Sequence, residues 1–353
     1  RIRDLWKTNA QGRLLAYLCK VAEEYEPRNN LTQYLLFGPR AFHVLHPSNV
    51  EVIMSTKLKV TMFSIAENVW LMVELKDYGF GAGHDVFAPL LGNGIFTQEG
   101  AAWKHSRLLL RKQFVRVQHQ TPDHFQEHVD NLIARLPLCG VVDPQPLFFN
   151  LTINTTTALL FGRSMYSLRA GIDQDSENRL FGKSFNIAQG GLAKRFRIAP
   201  WHFLYNPPEF GKACANVHRY VERYIEELDL EGNETGDNQT REFIKQVAKE
   251  SASTKDLRDQ LLNVLLAGRD STACCLSWTL YAIPTQFRNS LLMQSHCKPP
   301  SRSAREGHEA LAQEITSVVG ASQCPDREQI RKMAYLGYVI KESQYYVGEH
   351  NLK

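Results

Sequence analysis

Leu261–Leu280 reads LLNVLLAGRDSTACCLSWTL. Apolar residues lie all round it at helical spacing, the pattern of a helix buried in the middle of a domain. Ser253 and Asp256 precede it at capping-box spacing and Pro284 follows it, which predicts one helix over 254–283. Thirty residues at the α-helical rise would span about 45 Å, longer than most globular helices. Into this apolar run are set Arg269, Asp270, Ser271 and Thr272. A buried acid is costly unless it is paired or hydrogen-bonded. Two readings stay open. In one, Asp270 forms a salt bridge while Ser271 and Thr272 bond back to carbonyls one turn earlier. In the other, Gly268 removes a side chain so that a flat ligand can approach the backbone, and acid and hydroxyl form a proton relay to that ligand.

Working outward, the 353 residues suffice for one large domain or two ordinary ones. At 43% hydrophobic and 22% charged the chain is globular rather than disordered. Its +4 balance is mild and no basic stripe carries interleaved aromatics, so nucleic acid is excluded as a partner. Cys19, Cys139, Cys214, Cys274, Cys275, Cys297 and Cys324 are scattered, odd in number and without a CxxC pair, which fits a reducing compartment. No apolar run of about 18 residues marks a transmembrane span.

Residues 3–26 read as an amphipathic helix, and 33–37 with 41–45 as a hairpin around Gly38-Pro39. The Gly-rich stretch 76–100 reads as a long loop with one short helical piece. Helical patterns follow from Ala101, broken at Pro137, Pro144 to Pro146, Pro200 and Pro207-Pro208. Gly232 to Gln239 reads as a polar surface loop, and 284–306 as an irregular insertion. Helices resume over 307–319 and 326–343. The sum is a mainly α chain with a small β-region near its start.

In AAWKHSRLLLRKQF, Ala101–Phe114, Trp103 and Arg107 are four apart and share a helical face that Arg111 extends. An indole N–H beside a guanidinium suits a carboxylate or phosphate. A plain basic amphipathic helix with its Trp in the core is the other reading.

Taken together, the two segments resemble the cytochrome P-450 family of haem-thiolate monooxygenases. That family's Ala/Gly-Gly-x-Asp/Glu-Thr-Thr motif is matched by Ala267, Gly268, Arg269, Asp270, Ser271 and Thr272, and its Trp-x-x-x-Arg motif by Trp103 and Arg107. LLGNGIFTQEGAAWKHSR and LRDQLLNVLLAGRDSTACCLSW resemble fungal members that hydroxylate alkanes and fatty acids. The resemblance implies a mostly helical fold, here a single domain over 1–353, and a b-type haem. Trp103, Arg107, Ala267 and Gly268 would contact the haem, and Asp270, Ser271 and Thr272 would deliver protons. It also implies a lipophilic substrate, lined by Phe80, Phe87 and Leu90, a flavoprotein reductase passing on NADPH-derived electrons, and an endoplasmic-reticulum membrane location.

The chain departs from the family in four places. Ser271 stands for the usual Thr and keeps the hydroxyl. Glu342 begins the family's Glu-x-x-Arg motif, but Tyr345 replaces the Arg. The family's Cys-containing haem loop is not met before Lys353, so no metal ligand is assigned, and no anchor helix is seen before Arg1. These breaks lead to the expectation of a truncated chain, inactive by itself and soluble or peripheral. The alternative is a non-catalytic remnant that binds a small ligand or a partner.

Overall fold

The computed structural model describes residues 3–4, 7–8, 11, 13–25, 30–34, 40–44, 46–51, 83–117, 123–137, 142–169, 177–198, 201–230, 242–292, 303–320 and 325–350. They fall into two compact units, Arg1–Gly81 with Gln344–Lys353, and Ala82–Ser343, where the sequence suggests one domain.

The first unit contains α1 (Leu14–Tyr25), an antiparallel hairpin of β1 (Asn30–Tyr34) and β2 (Arg40–Val44), and α2 (Pro47–Glu51). Asn30 faces Val44 and Tyr34 faces Arg40. Both strands lie earlier than the sequence suggests, and Gly38-Pro39 lies outside the described residues.

The second unit is helical. It runs through α3 (Gly83–Leu91), α4 (Gly100–Val117), α5 (Asp123–Ile133), α6 (Gln145–Phe161), α7 (Glu177–Arg197), a 3-10 turn (His202–Leu204) and α8 (Pro208–Leu230). It continues with α9 (Glu242–Glu250), α10 (Thr254–Leu292), α11 (Ser303–Val319), α12 (Arg327–Lys332) and the start of α13 (Ala334–His350). Two of the proline breaks fall at helix starts: Pro146 sits in the first turn of α6, and Pro208 begins α8.

The axis of this unit is α10, against which α3, α6, α8, α9 and α11 pack. Its start follows the capping signal: the Ser253 hydroxyl accepts from the Asp256 amide at 3.1 Å and donates to the Asp256 carboxylate at 2.9 Å. Its end does not. The helix passes Pro284 and runs to Leu292, so 284–292 is helical rather than irregular, and α11 already begins at Ser303. One proline removes a single rung of the ladder, which a long helix can survive with a kink. Residues 293–302, like the loop Gly232 to Gln239, lie outside the described residues. The single helix suggested over 326–343 is two, divided at Met333, whose N–H bonds back to the Ile330 carbonyl. Glu314 of α11 caps the second, accepting from the Tyr335 and Leu336 amides at 2.8 and 2.9 Å.

The core is built around the first half of α10. Leu262 and Leu265 are fully buried with Leu90, Leu160, Phe185, Val217, Val221, Ile244 and Val247. Each such side chain contributes about 1.5–3 kcal/mol relative to exposure. Burial does not extend along the whole helix. From Leu266 onward α10 is mixed, with Ala267, Ser271, Thr272 and Leu280 exposed and Arg269 and Ala273 buried. Among the described residues no helix is long and apolar enough to cross a membrane.

A buried polar joint sets the α3–α4 loop onto α10. The Asp259 carboxylate accepts from the Asn93 amide at 2.8 Å and from the Arg258 guanidinium at 2.7 and 3.0 Å, and Arg258 also reaches Glu222 at 2.6 Å. Asn263 accepts from the Phe96 amide and donates to the Leu91 carbonyl, both at 2.9 Å. The loop lies so close that a Cβ on Gly92 would fall 2.0 Å from the Asp259 carboxylate, and Gly92 has a φ of +55°. Ser106 of α4 completes the joint, accepting from Gln260 and donating to Gln98, each at 2.6 Å.

Asp259→Ala should therefore destabilise the folded chain by about 3–5 kcal/mol, because the buried Arg258 loses a partner. Urea unfolding checks this. A loss below about 1 kcal/mol would show that the joint is dispensable.

Candidate functional site

The polar insert of α10 is resolved into separate roles by its position on the helix. Arg269 is 6% exposed and points into the domain. Its Nη1 donates to Gln189 Oε1 at 3.1 Å and to Asp270 Oδ1 at 3.2 Å, and its Nη2 donates to Asn186 Oδ1. The guanidinium lies 4.8 Å from the ring of Phe149 and 5.2 Å from that of Phe185. Burial lowers its pKa, an effect that Asp270 opposes. Burial also raises the pKa of the Asp270 carboxyl, an effect that Arg269 opposes.

Ser271 is one step round the helix and exposed, and its hydroxyl donates to the Ala267 carbonyl at 2.8 Å. Ala267, four residues earlier on the same strip of surface, is also exposed. The salt bridge of Asp270 and the back-bond of Ser271 are thus both present, as the structural reading of this stretch expects. Thr272 is exposed, and among the described residues its hydroxyl makes no such bond.

Gly268 lies where α10 meets α6. A Cβ there would come within 2.8 Å of Thr156 Oγ1 and 3.0 Å of Thr156 Cγ2. The missing side chain lets α6 approach α10 closely at this point. Leu90 belongs to the core rather than a pocket wall, being fully buried with its carbonyl bonded to His218 at 2.9 Å. Phe87 is half-buried and stacks on Phe196 at 5.8 Å, while Phe80 lies outside the described residues.

On α4 the Arg107 guanidinium sits 5.0 Å from the ring of Trp103, as their four-residue spacing dictates. Arg107 is exposed and Trp103 half-buried. The pair is tied to α10 through Ser106, which neighbours Arg107 and bonds Gln260. Gln260 and Ala267 are seven residues apart on α10, about 10 Å along the axis. Glu342 is in α13, and the side chains of Glu342 and Tyr345 lie outside the described residues.

Sequence reasoning missed the holders of Arg269. A second charge beside Asp270 on a greasy helix is the only local sign of them. Gln189 and Asn186 are 80 and 83 residues away along the chain, beyond the reach of periodicity. Among the described residues no cluster of His, Cys, Asp and Glu could hold a metal ion.

With this geometry in view, residues 76–286 match the family model described as Cytochrome P450. A "Cytochrome P450" of Arthroderma benhamiae is 35% identical over 88% of this chain and 53% of its own length. "Cytochrome P450 52A13" of Debaryomyces hansenii is 31% identical over 96% of this chain and 61% of its own. The chain thus spans between about half and three fifths of these curated relatives. Among solved structures, the haem domain of cytochrome P450DA superposes with a TM-score of 0.64 over 94% of this chain and 64% of that one. At 15% identity that likeness speaks for the fold alone, a mainly α P450 fold.

Gly268→Ala should cost about 1–3 kcal/mol by overpacking against Thr156. Pairing it with Thr156→Ala should recover most of the loss in a double-mutant cycle. Additive losses would mean that α6 and α10 do not meet at these residues.

Proposed function

Because this chain belongs to the cytochrome P450 family, we propose that it serves haem-dependent monooxygenation of a lipophilic substrate of the alkane or fatty-acid type. Haem, when bound, activates dioxygen so that one oxygen atom enters a C–H bond, with electrons passed from NADPH by a flavoprotein reductase. An endoplasmic-reticulum membrane location is part of the same reading.

The described residues fit one side of such a site. Trp103 offers an indole N–H and Arg107 an exposed guanidinium, the donor set that haem carboxylates need. Ala267 is small and exposed, leaving room against α10. None of the described cysteines is placed as a thiolate that would hold the haem iron. Cys214 is in the core with its thiol pushed up to about 11 by burial, and Cys274 and Cys275 ride on α10 itself.

The observation that carries the proposal is the exposed Ser271 hydroxyl next to a half-buried acid. At rest the Ser271 hydrogen points to the Ala267 carbonyl. Rotation about Cβ–Oγ turns that hydrogen outward and presents a proton on the exposed face. Asp270, whose burial favours the protonated carboxyl, is the adjacent reserve from which the hydroxyl is reloaded. Ser271 keeps the hydroxyl of the family's threonine, so the relay needs no methyl group.

The test uses haem-loaded protein with NADPH, reductase and a long-chain fatty acid. Ser271→Ala should lower hydroxylated product per NADPH consumed by about 10-fold or more with haem content unchanged. Wild-type yield in that variant would remove the relay. A haem-loaded protein that hydroxylates neither fatty acid nor alkane would overturn the function.

A further inference from the structure

The mechanism above uses Asp270 and Ser271 but leaves Arg269 without a task. Yet Arg269 is the most elaborately held side chain of the stretch. It is a cation at 6% exposure, fixed by acceptors on α7 and by its neighbour on α10, with rings from α6 and α7 at 4.8 and 5.2 Å. Burying a guanidinium is costly, and among the described residues its Nε has no hydrogen-bond partner. A stability role alone would be served better by an apolar residue of similar size.

The geometry points to a positioning role: Arg269 is a clamp that fixes the Asp270 carboxylate and refers its position to α7 through Asn186 and Gln189. This rests on the relay reading of Asp270 given above. Three of the guanidinium's contacts are made by two nitrogens, so their directions are fixed by one planar group. Asn186 and Gln189 are three residues apart and therefore lie on one face of α7, one turn from each other. A shift or rotation of α7 would pull the guanidinium, and with it the carboxylate.

The clamp also sets how readily the acid gives up its proton. Burial favours the neutral carboxyl and the cation favours the carboxylate, so the two oppose each other at one atom pair. When Asp270 releases its proton through solvent to the exposed Ser271 Oγ, and Ser271 passes its own outward, one negative charge appears at Asp270 beside Arg269. Solvent then returns one proton. Among the described residues, Cys274 on α10 is the other titratable group coupled to the pair. The elements packed on it supply Phe149 from α6 and Phe185, Asn186 and Gln189 from α7, all uncharged.

The direct test needs no haem. The Asp270 carboxyl is titrated by carbon NMR in the 353-residue chain and in Arg269→Gln. Loss of the cation leaves burial unopposed, so the midpoint should rise by about one pH unit or more. Arg269→Lys keeps the charge but not the fork, and should show a smaller rise in the same direction. It also serves if the Gln variant fails to fold, since a lysine cannot reach Asn186, Gln189 and Asp270 together. A midpoint unmoved in a folded variant of either kind would overturn the clamp. In haem-loaded protein, the pH dependence of product per NADPH should move with the NMR midpoint. A moved midpoint without any product supports the clamp and counts instead against the monooxygenase reading. A moved midpoint with a product profile that stays fixed would overturn the clamp's part in proton delivery.

Discussion

The Asp259 carboxylate, fully buried at the start of α10, is the constraint from which the rest of the second unit follows. It can remain there because the Arg258 guanidinium and the Asn93 amide both bond to it. In meeting those partners it draws the loop after α3 against α10, with Gly92 and Gly94 stripped of side chains at the points of contact. The loop leads directly into α4, whose Ser106 is bonded to Gln260. One polar joint thus fixes the helix that carries Trp103 and Arg107 relative to the helix that carries Ala267 and Ser271. Apolar packing alone, which is non-directional, would hold these helices together without fixing their register.

The same helix changes character along its length. Over Leu257–Leu265 it is sealed within the core, and beyond Leu266 it turns an exposed strip to one side and Arg269 to the other. Four consecutive residues point in successive directions a quarter-turn or more apart, so a short motif can serve several ends at once. Gly268 admits α6, Arg269 reaches α7, Asp270 is held between burial and a cation, and Ser271 faces out.

Much of this was legible in the sequence. Local signals were read where the physics is local: the Ser253–Asp256 cap, the pairing of Trp103 with Arg107 at one-turn spacing, the back-bond of Ser271 and the proline breaks at Pro146 and Pro208. The family could be read from its two motifs together. What was not legible depends on distant partners. The close approach of Thr156 to Gly268 has no local sign, since the two are far apart along the chain. Pro284 suggests a stop, although a proline costs a helix only one rung. The Gly-rich stretch reads as an open loop, because the Asp259 and Asn263 that dock it lie 166 and 167 residues from their partners Asn93 and Phe96.

The central proposal is that the exposed strip of α10 at Ala267 and Ser271 is the face on which haem and its substrate bind. Ala267→Phe tests it most directly, since a ring at this exposed position fills that strip without disturbing the core. The measurement is the change in the haem absorption spectrum on titrating haem-loaded protein with a long-chain fatty acid. The account predicts that the variant, with the room against α10 filled, takes up less haem and gives a weaker fatty-acid response. An unchanged response at the wild-type fatty-acid concentration would contradict it, and would place the substrate on another face of the molecule.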